Sequence, residues 1–285
     1  MGSNDFYEEE RPVREVTVSG FWMDSHPVTV AEFRAFVDAT GYVTCAERPL
    51  DPNSFPGADP VLLVPGSVVF EPTQHAVDLD DFRLWWRYVP GASWRSPAGP
   101  SSTTHRLDHH PVVHVSYEDA AAYAAWAGKA LSTEAEWELA ARGGLSSKVF
   151  AWGDEFAPRG RYMANTWQGE FPWQNLLSDG YYGTSPVRAF PPNGFGLYDM
   201  TGNVWEWTED FFRHPGVNVA TSPCCAPHDL DDSTPRRVIK GGSHLCAPNY
   251  CLRYRPAARQ AQAVDTATAH IGFRCVLRSE SAARR

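Results

Sequence analysis

The sequence predicts an α+β fold built as a single loop-rich domain, on three observations. Among 285 residues are 22 Gly and 23 Pro, enough breakers to cut the backbone into short elements. There are also 11 Trp, 11 Tyr and 15 Phe, large flat side chains that can fasten long loops onto a core. Helix signals crowd into the first half, whereas the second half reads as short strands and turns. No internal repeat and no linker between two cores is visible, so residues 1–285 are expected to form one domain rather than a helical bundle.

The elements follow in chain order. Val16-Thr17-Val18 alternates within Arg14 to Met23, which suits a strand. Thr29 with Glu32 forms a capping box before apolar Phe33, Phe36 and Val37, and Gly41 stops that helix. Residues 48–112 are rich in Pro, Ser, Asp and Trp with little periodicity, the mark of a functional insertion. Ser116 with Asp119 opens an Ala-rich helix ending near Gly128. Thr133 with Glu136 opens a third, through Trp137 and Ala141 to Gly143-Gly144. Later turns are Trp152-Gly153-Asp154, Pro191 to Gly194 and Gly241-Gly242, and the polar tail Ser279 to Arg285 is expected to fray.

Charge and hydropathy exclude some functions. A net charge of −9 and a pI near 5.5 argue against a nucleic-acid partner, because an acidic surface repels phosphates. No run approaches the roughly 20 apolar residues that span a bilayer; Ala120 to Ala127 is short and contains Tyr123 and Trp126. Met1 leads straight into Gly-Ser-Asn-Asp, so a cytoplasmic location is the expectation. In a reducing compartment the six cysteines, at 45, 224, 225, 246, 251 and 275, are not expected to be a disulfide framework.

The segment from Arg237 to Arg255 carries the most chemistry. Val238 and Ile239 suit a strand, Gly241-Gly242 allows a bend, and Ala247-Pro248-Asn249 is turn chemistry between Cys246 and Cys251. Leu252 to Arg255 alternates like a second strand, and Lys240, Arg253 and Arg255 would favour thiolates. Three readings stay open on spacing alone: a disulfide, a four-cysteine zinc site drawing on Cys224 or Cys225, and a two-thiolate site for a soft ion, Cu(I) above all. His105, His109, His110 and His114 form no zinc-ligand pattern and read as packing and capping residues. Glu134, Glu136 and Glu138 open a helix, where carboxylates favour the dipole.

That segment resembles the active-site stretch of the formylglycine-generating enzyme, or sulfatase-modifying factor, family. The resemblance continues in ordered blocks: Met1-Gly2-Ser3, His110 to Ser116, Leu131 to Glu138 with Arg142 to Gly144, Ala164 to Phe171, Pro191 to Tyr198, Gly202 to Trp207, and Gly272 to Cys275. It implies a variant of the C-type-lectin-like fold, a cytoplasmic monomer, and oxidation by O2 of the cysteine in a Cys-x-Pro-x-Arg motif of an unfolded sulfatase segment. Cys246 and Cys251 would hold Cu(I) as a bis-thiolate, with the substrate cysteine as third thiolate and an external reductant supplying electrons. Ser243 matches an active-site serine, Tyr250 would wall the substrate proline, Trp205 would line the pocket, and Asp51 would pair with the substrate arginine.

Two structural Ca²⁺ sites are likewise implied: Asn165, the Thr166 carbonyl, Asp179 and the Tyr181 carbonyl; then Asp199, the carbonyls of Gly202 and Val204, and Glu206. Ala124 stands where animal relatives place the partner of Cys275, so that bridge is not expected. The rival reading is a catalytically inactive paralogue that binds a sulfatase or another ligand through the same fold; the cysteine pair argues against it.

Overall fold

A computed structural model of the chain describes residues 1–50, 52, 57–59, 63–213 and 234–278. The capped helices form where the sequence places them. In α1 (Val30–Thr40) the Glu32 amide donates to Thr29 Oγ1 and the Glu32 carboxylate accepts from Thr29 N at 2.8 Å, with Gly41 closing the helix at φ 67°. The same reciprocal box starts α2 (Tyr117–Trp126) at Ser116 and α3 (Glu134–Arg142) at Thr133.

The expected strand at Arg14 to Met23 is paired only over β1 (Phe21–Met23). Among the described residues its neighbour β9 (Cys275–Arg278) supplies partners only from Val276 to Arg278, so nothing continues the ladder upstream. β4 (Ala130–Leu131) covers the other side of β9. The stretch 48–112 holds a hairpin that its composition hid: β2 (Gly66–Phe70) pairs antiparallel with β3 (Trp86–Pro90). Ser67 takes a buried position in β2 and donates to Ala267 O at 2.6 Å, so polarity does not alternate with burial there.

A four-stranded sheet, in the order β7-β6-β5-β8, positions the second half. β6 (Arg236–Lys240) lies between β5 (Trp205–Phe211) and β7 (Arg259–Ala263), antiparallel to both; β8 (Ile271–Gly272) runs parallel to β5. The strand expected at Leu252 to Arg255 does not form, and pairing with β6 begins only at Arg259. Arg253, Tyr254 and Arg255 are all buried, so these side chains do not alternate between a core and a solvent face. No helix of the described residues is long and apolar enough to cross a membrane.

The apolar interior has two main bodies. One gathers Phe33, Phe36, Tyr123, Trp205, Trp207, Phe273 and Cys275 around Cys246, Cys251 and Tyr254. The other packs Trp85, Trp86, Trp167 and Phe171 against Leu245 and Ala247. Tyr250 touches both. The hairpin that carries the two cysteines therefore runs along the seam between them.

Candidate active site

Two glycines steer the chain from β6 into the site. Gly241 (φ 97°) lies where a Cβ would come within 2.9 Å of Met200 O, and Gly242 (φ 69°) where one would meet the Arg253–Tyr254 backbone at 2.9 Å. Both the left-handed backbone and the close approach demand glycine. After the bend, Cys246 N donates to Ser243 O at 3.0 Å, and a turn follows in which Tyr250 N and Cys251 N both donate to Ala247 O. This folds Cys251 back onto Cys246.

The sulfurs stand 2.9 Å apart, neither is in a disulfide, and both are buried. A disulfide needs about 2.05 Å between sulfurs. Ser243 N donates to Cys246 Sγ at 3.4 Å, and Trp167 N ties down Cys246 O at 3.0 Å. Among the described residues no group of three or more His, Cys, Asp or Glu side chains gathers for a metal, so the pair stands as a two-thiol set. Two soft, buried ligands with a sulfur-directed N–H fit a d10 monovalent cation such as Cu(I).

The other site residues predicted from sequence fall as follows. Ser243 is fully buried, and its Oγ accepts from Leu245 N at 3.2 Å. Trp205 is fully buried in the cluster of the pair, and its indole N–H has no hydrogen-bond partner among the described residues. Tyr250 lies half-buried beside exposed Pro248 and Asn249, stacked on Phe171 at 4.6 Å and meeting Trp85 edge-on. Asp51, Cys224 and Cys225 lie outside the described residues. The open grooves at Trp22, Leu139 and Phe195 and at Glu209, Arg213 and Arg237 have none of residues 243–251 in their walls.

The nearby cations act differently from the expectation. Lys240 is buried and paired with Glu138 at 3.2 Å, Arg253 with Glu9 at 2.6 Å, and Arg255 with Glu10 through two N–H groups. Their charge is compensated locally rather than left free to favour thiolates. Burial pushes the Tyr254 phenol well above its usual range, and the thiols of Cys246 and Cys251 add to that shift, so it stays a neutral O–H among them. His244 donates through Nδ1 to Asn203 O at 2.8 Å, and burial lowers its pKa to about 4. Sequence reasoning missed Tyr7, Glu9, Glu10 and Phe171; an acidic run near one terminus gives no signal that it meets a segment some 245 positions away.

The oxygen-rich groups also converge. Thr166 N and Tyr181 N both donate to the Asp179 carboxylate, and the Gln168 amide reaches Thr166 O and Asp179 Oδ2 together. Two oxygens of the first set thus already turn toward one point where positive charge is welcome, as a hard cation requires. In the second set Glu206 binds Arg274 through two N–H groups and Trp137 at 2.7 Å. Asp199 is also buried: its backbone carbonyl accepts from the same Arg274 guanidinium at 3.1 Å, while its carboxylate accepts from Arg188 N at 2.8 Å. Glu206 Oε1 accepts only one of those bonds and keeps a lone pair. Among the histidines, His114 is buried with both ring nitrogens hydrogen-bonded, to Ser67 Oγ and Pro97 O.

A paired-thiol hairpin on a loop-rich α+β scaffold, with capped helices ahead of it, defines the class. The comparisons make it specific: the sulfatase-modifying factor enzyme 1-like domain matches residues 1–279, and the chain belongs to that family. It is 58% identical to a formylglycine-generating enzyme of Mycobacterium tuberculosis, over 97% of this chain and 93% of that protein. It is 44% identical to the mouse protein of the same name, over 96% of this chain and 71% of the relative. A bovine relative named inactive C-alpha-formylglycine-generating enzyme 2 is 42% identical, over 96% of this chain and 82% of its own. Among solved structures, PvdO from Pseudomonas aeruginosa matches with a TM-score of 0.59 and 28% identity, over 97% of this chain and 89% of that one. CarF shares the fold with a TM-score of 0.53 at 19% identity, over 93% and 89% of the two chains.

Proposed function

We propose that this protein oxidises the cysteine of a Cys-x-Pro-x-Arg motif, in an unfolded sulfatase segment, to formylglycine. The observation that carries the reading is a buried pair of thiols 2.9 Å apart, not joined as a disulfide, in a chain of this family. Overall, the substrate side chain loses two hydrogens to become a thioaldehyde, and water replaces its sulfur, releasing sulfide. Dioxygen takes up the electrons, with two more from an external thiol or other reductant. Copper(I), held by Cys246 and Cys251, would supply the one-electron chemistry with dioxygen that thiols lack.

The chain's own residues do the rest. Cys246 and Cys251 present two sulfurs from a hairpin whose backbone is tied at Ala247 O, Ser243 O and Trp167 N. Ser243 offers a buried hydroxyl and an N–H aimed at Cys246 Sγ. Trp205 offers a buried indole N–H to an arriving acceptor. The Tyr250 ring, backed by Phe171, offers a flat apolar wall for the substrate proline, and Asp51 is assigned to the substrate arginine. Burial excludes water from the pair, so a reactive intermediate there meets few side reactions.

Two structural calcium ions belong to the reading, one held by Asn165, Thr166 O, Asp179 and Tyr181 O, the other by Asp199, Gly202 O, Val204 O and Glu206. So does a monomer in a reducing, cytoplasmic setting, which suits Cys45, Cys246, Cys251 and Cys275 standing outside disulfides. Because inactive relatives share the fold, the cysteine pair is what favours an enzyme over a binding paralogue. The test is to incubate the protein with a Cys-x-Pro-x-Arg peptide, Cu(I), oxygen and a thiol reductant, then weigh the peptide. The expected product has oxygen in place of sulfur, two hydrogens fewer, and an aldehyde that hydroxylamine captures. An unchanged peptide under these conditions would favour the paralogue.

A further inference from the structure

We propose that the N-terminal run Phe6 to Glu10 is a positioning element of the thiol centre, in which Tyr7 and Glu9 fix where Cys251 stands relative to Cys246. The inference rests on the reading of that pair as the reactive centre. Its basis is the peptide that follows Cys251. Leu252 N donates to Tyr7 Oη at 3.0 Å, and Leu252 O accepts from Arg255 Nε at 2.7 Å. Cys251 N is already spent on Ala247 O at 2.7 Å. The amides on both sides of Cys251 are therefore held, one by the turn and one by the N-terminal run. A rotation of either would swing the Cβ–Sγ bond away from Cys246.

The side chains that hold Leu252 are themselves locked. Arg253 lies between the Glu9 carboxylate at 2.6 Å and the face of the Tyr7 ring at 3.8 Å, and is 2% exposed. Arg255 is gripped by both oxygens of Glu10 and lies 3.6 Å over the Phe6 ring, with neither member of that ion pair more than 1% exposed. Arg259 Nη1 reaches Glu9 O. Buried charges paired at this depth tolerate few alternative arrangements, because separating them leaves an uncompensated ion. The run is anchored in turn: Gly2 N donates to Glu138 Oε1 at 2.8 Å, and Gly2 (φ 88°) packs where a Cβ would stand 2.5 Å from Glu10 O. Glu138, on α3, also binds Lys240, the last residue of β6, so the carboxylate that receives the Gly2 amide also braces the strand leading into the thiol hairpin.

The experiment compares Tyr7→Phe and Glu9→Gln with the wild type. Tyr7→Phe removes one oxygen and keeps the ring over Arg253, so it leaves the packing in place. Cu(I) affinity is read by competition with a chromophoric chelator, with Cys251→Ser run in parallel to isolate the contribution of the pair. Peptide kcat and KM and the melting temperature are recorded alongside. Expected for Tyr7→Phe is a Cu(I) affinity about threefold to tenfold weaker, the range that losing one hydrogen bond spans. kcat should fall by a similar factor while KM changes little, and Glu9→Asp should recover more affinity than Glu9→Gln. Glu136→Gln, which breaks the pair with Arg278 away from the hairpin, controls for stability and should keep wild-type Cu(I) affinity despite a lower melting temperature. Wild-type affinity and kcat in both Tyr7→Phe and Glu9→Gln would overturn the inference, as would affinity losses that merely track melting temperature across all variants. A wild type that binds Cu(I) through the pair but leaves the peptide unchanged would instead count against the proposed reaction.

Discussion

Cys275 and the pair Cys246–Cys251 belong to one hydrophobic cluster, yet their surroundings give them different chemistry. Cys275 is fully buried on β9, and burial, with the Asp24 carboxylate adding to it, pushes its thiol up to about 12. Ala124 shares its cluster and offers no second sulfur. Cys246 is as deeply buried but has a sulfur at 2.9 Å and an N–H directed at its own. Burial alone makes an inert thiol; a partner and a donor make a ligand set.

The largest expected effect breaks that contrast directly. Cys251→Ser should lower turnover of a Cys-x-Pro-x-Arg peptide by more than about 100-fold, since even residues that only orient a metal ligand are worth about 10- to 100-fold. Cys275→Ala should leave kcat/KM unchanged. Equal losses in the two variants, measured under one set of copper and reductant concentrations, would erase the distinction between them. The supports differ as well. The hairpin is clamped by buried ions, whereas β9 is held chiefly by backbone pairing on both sides. Glu10→Gln leaves Arg255 buried without its anion, so urea denaturation should show a loss of about 3–5 kcal/mol.

A smaller effect separates the two regions through calcium. Trp167, which holds Cys246 O through its amide, follows directly on Asn165 and Thr166 of the first proposed calcium group, whereas Cys275 O accepts from Asp24 N. Calcium at about 100 times its dissociation constant would stabilise the fold by about 2.7 kcal/mol. Chelation should therefore lower the melting temperature by roughly 5 °C, at about 2 °C per kcal/mol for a chain of this size. Calorimetry with and without chelator, followed by calcium add-back, checks this; an unchanged melting temperature would remove calcium from the reading.

Much of this architecture was legible in the sequence where the signal is local. Three capping boxes and two left-handed glycines are read within four residues, and the helices start and stop there. The turn that brings Cys251 to Cys246 was equally local. The β2–β3 hairpin was not, because Ser67 occupies a buried position and its partner is Ala267. Nor was the fate of Arg253 and Arg255. Their proximity to the thiols suggested a free positive field, but their counterions come from Glu9 and Glu10 at the opposite end of the chain. Spacing reports which groups are neighbours along the backbone and is silent on which distant charge cancels them.

The lone thiol carries the smallest and most specific prediction. A thiol held at about 12 in the fold, against about 8.5 in the unfolded chain, keeps its proton in the native state after the unfolded state has released it. The unfolded state then binds fewer protons, so stability is full below about pH 8.5 and falls as pH rises toward the folded value. At about 1.4 kcal/mol per unit, Cys275 should account for a loss of about 2 kcal/mol between pH 8.5 and pH 10. Cys45, pushed up to about 11 by burial and by Asp119, works in the same direction, so Cys275→Ala should flatten the alkaline slope in part and not abolish it. Urea midpoints of the two proteins across that range measure the difference. Parallel slopes would mean that Cys275 ionises as freely in the fold as outside it, and burial would then not be what separates it from the pair.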